Sequence, residues 1–181
     1  MSTFIALLRG VNIGKAKRVP MAGLRDLLTK LGYSDVVTLL NSGNAVFRAN
    51  KGTAEKHAAA IATAIASTLQ VDVPVIVKSA KALSIIIAEN TLAEAAPNHS
   101  RLLVAFVQDP KSLLALAAIT PLVTPSERFH IGSSAAYLGF AEGVLDSKAG
   151  EALLGKIGKA ATTRNWATVL KLQALASKVD E

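Results

Sequence analysis

The stretch "DVVTLLNSGNAVFRA", Asp35 to Ala49, decides how this chain is organised. Two β-rich runs flank Asn41, Ser42, Gly43 and Asn44, residues that tolerate the positive φ of a tight turn, so the stretch predicts a hairpin. Before it, "VPMAGLRDLLTKLGY" carries Met21, Leu24, Leu27, Leu28 and Leu31 at spacings of three and four. With Pro20 at the expected first helical position and Gly32 at the stop, this is an amphipathic helix. Earlier still, "TFIALLRGV" is a short apolar run followed by a loop, the pattern of a buried strand. After the hairpin come an Ala-rich helix, "TAEKHAAAIATAIASTLQ", and a strand, "VDVPVIVKS", in which Pro74 marks an edge or entry position. Residues 1–79 therefore read βαββαβ.

The second half echoes the first without clear residue identity. A helical "AKALSIIIAENTLAEA" breaks at Pro97, "RLLVAFVQD" is a strand, and "PKSLLALAAI" is a helix opened by Pro110. "ERFHIGSSAAYLGFA" reads as another hairpin, turning near Gly132, Ser133 and Ser134. A short helix near Gly150 to Lys159 and a final one from about Thr163 to Lys178 complete a βαββα order. The predicted class is α+β, with two ferredoxin-like repeats of the βαββαβ type packed as one compact unit. The first spans residues 1–79; the second spans residues 80–181 and ends in the C-terminal helix.

With 51% hydrophobic and 18% charged residues over 181 positions, the chain has the material for a core and is not a disordered sequence. The longest apolar runs, "LSIIIA" and "LLALAAIT", fall far short of the roughly 20 residues that span a bilayer, so no membrane partner is expected. The N-terminal "MSTFIALLRG" lacks the basic leader, apolar centre and cleavage site of a signal peptide, and a cytoplasmic location is the expectation. The absence of cysteine excludes disulfides, thiolate metal sites and cysteine nucleophiles. His57, His99 and His130 stand apart, with no second ligand at a metal-binding spacing, so neither metal nor cofactor is expected. Gly132, Ser133 and Ser134 do not form the Gly-x-Ser-x-Gly elbow, and the acidic residues are scattered. No residue nominates itself as a catalytic base, and whether the protein is an enzyme stays open.

Charge is the informative feature. The net value is +7, and residues 1–50 hold seven basic side chains against Asp26 and Asp35. From Lys148 to Lys171 five basic residues face only Glu151. Such clustering favours anionic partners: a phosphate-bearing ligand, a nucleotide or a nucleic-acid backbone. In "ATTRNWATVLKL", Arg164 falls in the expected first turn of the last helix, where the dipole is already positive and an anion would be welcome. A carboxylate from elsewhere in the chain would serve equally well. Thr162 or Thr163 is the expected cap, and Trp166 an expected core anchor.

The loop "LLRGVNIGKAKRVP" has the strand, glycines, lysine and helix of a phosphate loop, but only three residues separate Gly10 from Gly14, and Ala16 stands where Ser or Thr would hold magnesium. What survives is Lys15, Lys17 and Arg18 just ahead of a helix start. The first half shares its strand order with RNA-recognition domains, yet Phe4 and Phe47 are the only candidates for base stacking. Binding to a nucleic acid would therefore be directed at the backbone and sensitive to salt.

"IALLRGVNIG", "VPMAGLRDLLTKLGY", "LNSGNAVF" and "TTRNWATVLKL" together resemble, over essentially the whole chain, the bacterial family known as domain of unknown function 1697. The resemblance implies an α+β fold of two ferredoxin-like repeats and no established activity. The family's motif positions correspond to Arg9, Gly10, Asn12, Gly14, Ser42, Gly43, Asn44, Arg164, Asn165 and Trp166. Its common glycines after the "NIG" segment and before "RNW" are replaced here by Ala16 and Thr163.

The leading expectation is a binding protein for a phosphate-bearing anion, with Arg9, Asn12, Lys15, Arg18, Asn41, Asn44, Arg164 and Asn165 as ligand-binding candidates. It places the loop Arg9 to Arg18 and Arg164 in one shared site. Two other classes remain: a small-molecule enzyme orienting its substrate with Asn41, Asn44 and Arg164, and a protein-interaction module. The sequence does not set the oligomeric state.

Overall fold

The computed structural model describes residues 1–181, apart from the side chain of Leu145. The chain divides into two compact units, Met1–Leu83 with Leu172–Glu181, and Ser84–Lys171. Both are mixed helix and strand, as the α+β expectation requires.

In the first unit the order is β1 (Ser2–Leu8), α1 (Met21–Lys30), β2 (Ser34–Leu39), β3 (Asn44–Ala49), α2 (Ala54–Leu69) and β4 (Val75–Ser79). The strands form an antiparallel sheet in the order β2-β3-β1-β4. Central β1 is buried from Thr3 to Leu8, which explains its continuous apolar run where a half-exposed strand would alternate. Phe4, Ala6 and Leu8 of β1 and Ala45 and Phe47 of β3 meet Leu24, Leu27 and Leu28 of α1 and Ile61 and Ile65 of α2. The period of two on the strands and of three to four on the helices thus converge on one core. Each fully buried large apolar side chain contributes about 1.5 to 3 kcal/mol.

Local signals explain the boundaries, with two adjustments. Pro20 is the residue preceding α1, one place earlier than expected, and no side chain caps that helix. In the β2–β3 turn the left-handed residues are Leu40 (φ 58°) and Gly43 (φ 86°), not the two asparagines. Glycine at 43 is also required by space, since a Cβ there would lie 2.7 Å from Leu8 Cβ and 2.8 Å from Val11 Cγ2.

The second unit contains β5 (Leu102–Val107), the short α4 (Leu113–Leu116), β6 (Arg128–Ile131), β7 (Ala135–Gly139), α5 (Lys148–Leu154) and β8 (Ala161–Asn165). Its antiparallel sheet has the order β6-β7-β5-β8, the same arrangement as in the first unit. Ala105, Val107, Ala136 and Leu138 pack with Leu113, Leu116 and Leu153 on one face.

Strand β8 corrects the sequence reading, which ended this half at βαββα and began the last helix at Thr163. The helix α6 instead starts at Trp166 and runs to Asp180. Residues Ala161 to Asn165 pair with β5 from Val107 back to Leu103. The β-branched Thr162 and Thr163 favour the extended state. The cap is Asn165, not either threonine: its Oδ1 accepts the Thr168 N–H at 2.9 Å. Arg164 is therefore a strand residue, and the argument from a cation in a helical first turn does not apply to it.

The preceding helix, α3 (Ala80–Ala88), stops earlier than "AKALSIIIAENTLAEA" suggests. The division between the units falls inside α3 and inside α6, so the final turns of α6 group with the first unit. There Thr3 Oγ1 donates to Asp180 Oδ1. Among the described residues no helix is long and apolar enough to cross a membrane.

Candidate functional site

The loop after β1 is built by hydrogen bonds before it is decorated by charge. Leu8 N–H donates to Gly43 O at 2.8 Å and Arg9 N–H to Pro74 O at 3.0 Å, fixing the loop's point of departure. Gly10, Asn12, Gly14 and Lys17 then all take left-handed backbone conformations, with φ between 50° and 66°. Asn12 closes the excursion at its base. Its Nδ2 donates to Val19 O (2.8 Å) and to Asn41 O (2.7 Å), while its Oδ1 accepts the Val19 N–H at 2.9 Å. Buried Val11 and Val19 anchor the two ends.

Between those anchors the side chains face water. Ile13 is 75% exposed, and Lys15, Lys17 and Arg18 are exposed with it. No acidic residue precedes Asp26 in the sequence. Among the described residues none of the three cations is in an ion pair, whereas Arg48 of the same unit pairs with Asp35 at 3.8 Å. Adding a Cβ at Gly10 or Gly14 would meet nothing within 4 Å, so the backbone is open to approach at both places. The loop leads into α1, whose first turn has neither a side-chain cap nor an acid. Its free N–H groups add partial positive charge to the same end.

The predicted asparagines divide by role. Asn12 and Asn41 meet through the bond above, but Asn12 spends its amide inside the loop. Asn44 is fully buried, and its Nδ2 donates to Leu39 O (2.8 Å) and Ser42 Oγ (2.9 Å), holding the turn from beneath. Asn41 alone is exposed, and Arg9 is half-buried. The structure thus brings Arg9, Asn12, Lys15, Arg18, Asn41 and Asn44 together in the first unit.

Arg164 and Asn165 belong to the second unit. Arg164 is only 7% exposed, in the cross-strand row His130, Tyr137, Val104, Arg164. Its Nη1 donates to Thr162 Oγ1 at 3.0 Å and Thr163 O at 2.8 Å, and burial lowers its pKa to about 10. It remains charged at neutral pH. Trp166 is buried at the start of α6, as expected of a core anchor.

Other polar features escaped the sequence reading. The Glu89 carboxylate grips the β6–β7 turn, accepting from Ser133 N–H and Oγ, Ser134 N–H and Tyr137 O–H. Burial opposes its charge, but these hydrogen bonds outweigh burial and lower its pKa. In the first unit His57 is buried among Phe4, Phe47 and Tyr33, with its Nδ1 2.8 Å from Tyr33 Oη. Desolvation lowers the His57 pKa. Arg101 and Arg128 line one cavity of the second unit. Arg101 stands just before β5 and Arg128 opens β6, and only the placement of β7 between those strands brings the two to one cavity.

Two four-stranded antiparallel sheets of identical order, the first with a basic, hydrogen-bonded loop at the end of its leading strand, define an α+β protein with a solvent-exposed cationic loop. The chain belongs to the family described as "Protein of unknown function (DUF1697)", whose model matches residues 1–137. That span includes the loop and the "LNSGNAVF" turn, while "TTRNWATVLKL" lies beyond it. Among solved structures the chain is similar to the conserved bacterial protein SP0830 from Streptococcus pneumoniae, at 24% identity and a TM-score of 0.79. The likeness covers 97% of this chain and 98% of that one, and it concerns the fold. No curated protein matches the chain in sequence.

Proposed function

We propose that this protein is a cytoplasmic binding protein for a phosphate-bearing anion, a nucleotide or a nucleic-acid backbone, and that each of its βαββαβ units is a ferredoxin-like repeat. The anion is held at the loop spanning residues 10–18 of the first unit, beside the turn that carries Asn41. One observation carries this reading: Lys15, Lys17 and Arg18 are exposed, outside any ion pair, and adjacent to an uncapped helix start. Each cation beside a positive helix end is disfavoured by about 0.3 to 1 kcal/mol, and a bound anion reverses the sign of that term. Open backbone at Gly10 and Gly14 gives phosphate oxygens access to main-chain N–H groups as well as to side chains. Arg164 is not needed for this reading, because a strand residue so deeply buried offers little to a ligand.

The test is binding of a fluorescent single-stranded oligonucleotide at several salt concentrations, with ATP and inorganic phosphate as competitors. Wild type is expected to lose affinity steeply with salt. Lys15→Ala/Arg18→Ala should weaken binding and flatten the slope of log K against log salt by roughly 0.7 for each phosphate contact removed. Absence of binding to oligonucleotide, ATP and phosphate at low salt would overturn the proposal. So would binding that ignores the double substitution.

A further inference from the structure

The second unit contains a cavity of about 480 Å³, within the size range of small-molecule sites. Its floor is a cross-strand row, Arg128 on β6, Gly139 on β7 and Leu102 on β5. Gly139 keeps the floor open: a Cβ there would come no nearer than 3.9 Å to Arg128 Cβ and Leu102 Cδ1. Leu92 and Pro97 supply apolar lining.

Two guanidinium groups line the same space, and no Asp or Glu does. Arg101 Nη1 donates to Ala141 O, and Arg128 Nη1 donates to Pro125 O and Glu127 O, both at 3.1 Å. These carbonyls orient the groups without neutralising them, and most of the five N–H donors on each arginine remain for another acceptor. Among the described residues neither arginine is in an ion pair. Both arginines line this one cavity, and the strands β5 and β6 beside which they stand are two strand spacings apart, about 10 Å.

We infer that this cavity binds a small amphipathic acid, its carboxylate or phosphate head on Arg101 and Arg128 and its apolar body against Leu92 and Pro97. The site is distinct from the basic loop of the first unit and selects differently. A polyanion fits an exposed loop, whereas an open cleft with apolar lining and two guanidinium groups fits a compact molecule with one charged end.

The fluorescent probe 1-anilinonaphthalene-8-sulfonate, itself an apolar body with a sulfonate, provides the test. Its titration against wild type is expected to saturate, and octanoate or octyl phosphate should displace it while the uncharged octanamide does not. Which of the two displaces better identifies the head group. Arg101→Gln/Arg128→Gln should weaken probe binding by at least about tenfold, since charged hydrogen bonds are the strong ones. Gly139→Leu, which fills the floor, should abolish it with the circular dichroism spectrum retained, and Lys15→Ala/Arg18→Ala should leave it unchanged. Probe binding unaffected by the Arg101→Gln/Arg128→Gln pair, or displacement by octanamide as readily as by octanoate, would overturn the inference.

Discussion

The two units share a strand order and differ in where they keep positive charge. The first carries Lys15, Lys17 and Arg18 on a loop outside its sheet, whereas the second buries Arg164 within a strand and fixes Arg101 and Arg128 at a cavity wall. Identical topology thus supports different chemistry, because the sheet order fixes the backbone while loops and strand ends decide what a ligand meets.

Glycines give the sharpest way to break the comparison. Gly43→Val places a β-branched residue at φ 86° against Leu8 and Val11, and should cost about 4 kcal/mol by urea denaturation. Gly139→Ala in the second unit meets only ordinary contacts and should cost less than about 1 kcal/mol. Equal losses would mean that Gly43 is not the tight point the geometry describes.

The arginine and lysine substitutions come next. Arg164→Ala leaves a buried gap and removes the partner of Thr162 and Thr163, with an expected loss of about 3 kcal/mol. Lys15→Ala, at an exposed position, should fall within about 0.5 kcal/mol of wild type. A large loss from Lys15→Ala would make the loop cation structural and erase the contrast.

The smallest expected effect is a difference in acid response. Because burial holds His57 neutral, its folded pKa lies below the unfolded value of about 6.5, and between those two values the unfolded chain takes up a proton that the folded one refuses. The His57 contribution is complete above about pH 6.5 and declines as pH falls toward the depressed value. For Glu89 the lowered pKa places the decline below the ordinary carboxylate value of 4.5. Urea midpoints measured from pH 7.5 to 3.5 should therefore fall in two windows, with the upper one absent in His57→Gln.

Much of the first unit was legible because its helices repeat Leu and Ile at three and four while its central strands are continuously apolar. Strand β8 was not. Ala161 to Asn165 is too short to display alternation, and it runs straight into the apolar stripe that starts at Trp166. Thr162, Thr163 and Asn165 are all good capping residues, so only pairing with β5 reveals where the helix begins. In the candidate site the exposed cations were readable from composition, but the internal role of Asn12 depends on Val19 and Asn41, partners that tertiary structure supplies. Arg101 and Arg128 gave no signal, since their proximity exists only across β7.

Asn12 also has an engineering consequence. By closing the excursion onto Val19, it leaves residues 13–18 as an insert whose ends are already joined, so their identity and number can change without altering the strand before or the helix after. One side chain thereby separates the packing that the core demands from a segment whose side chains meet only solvent.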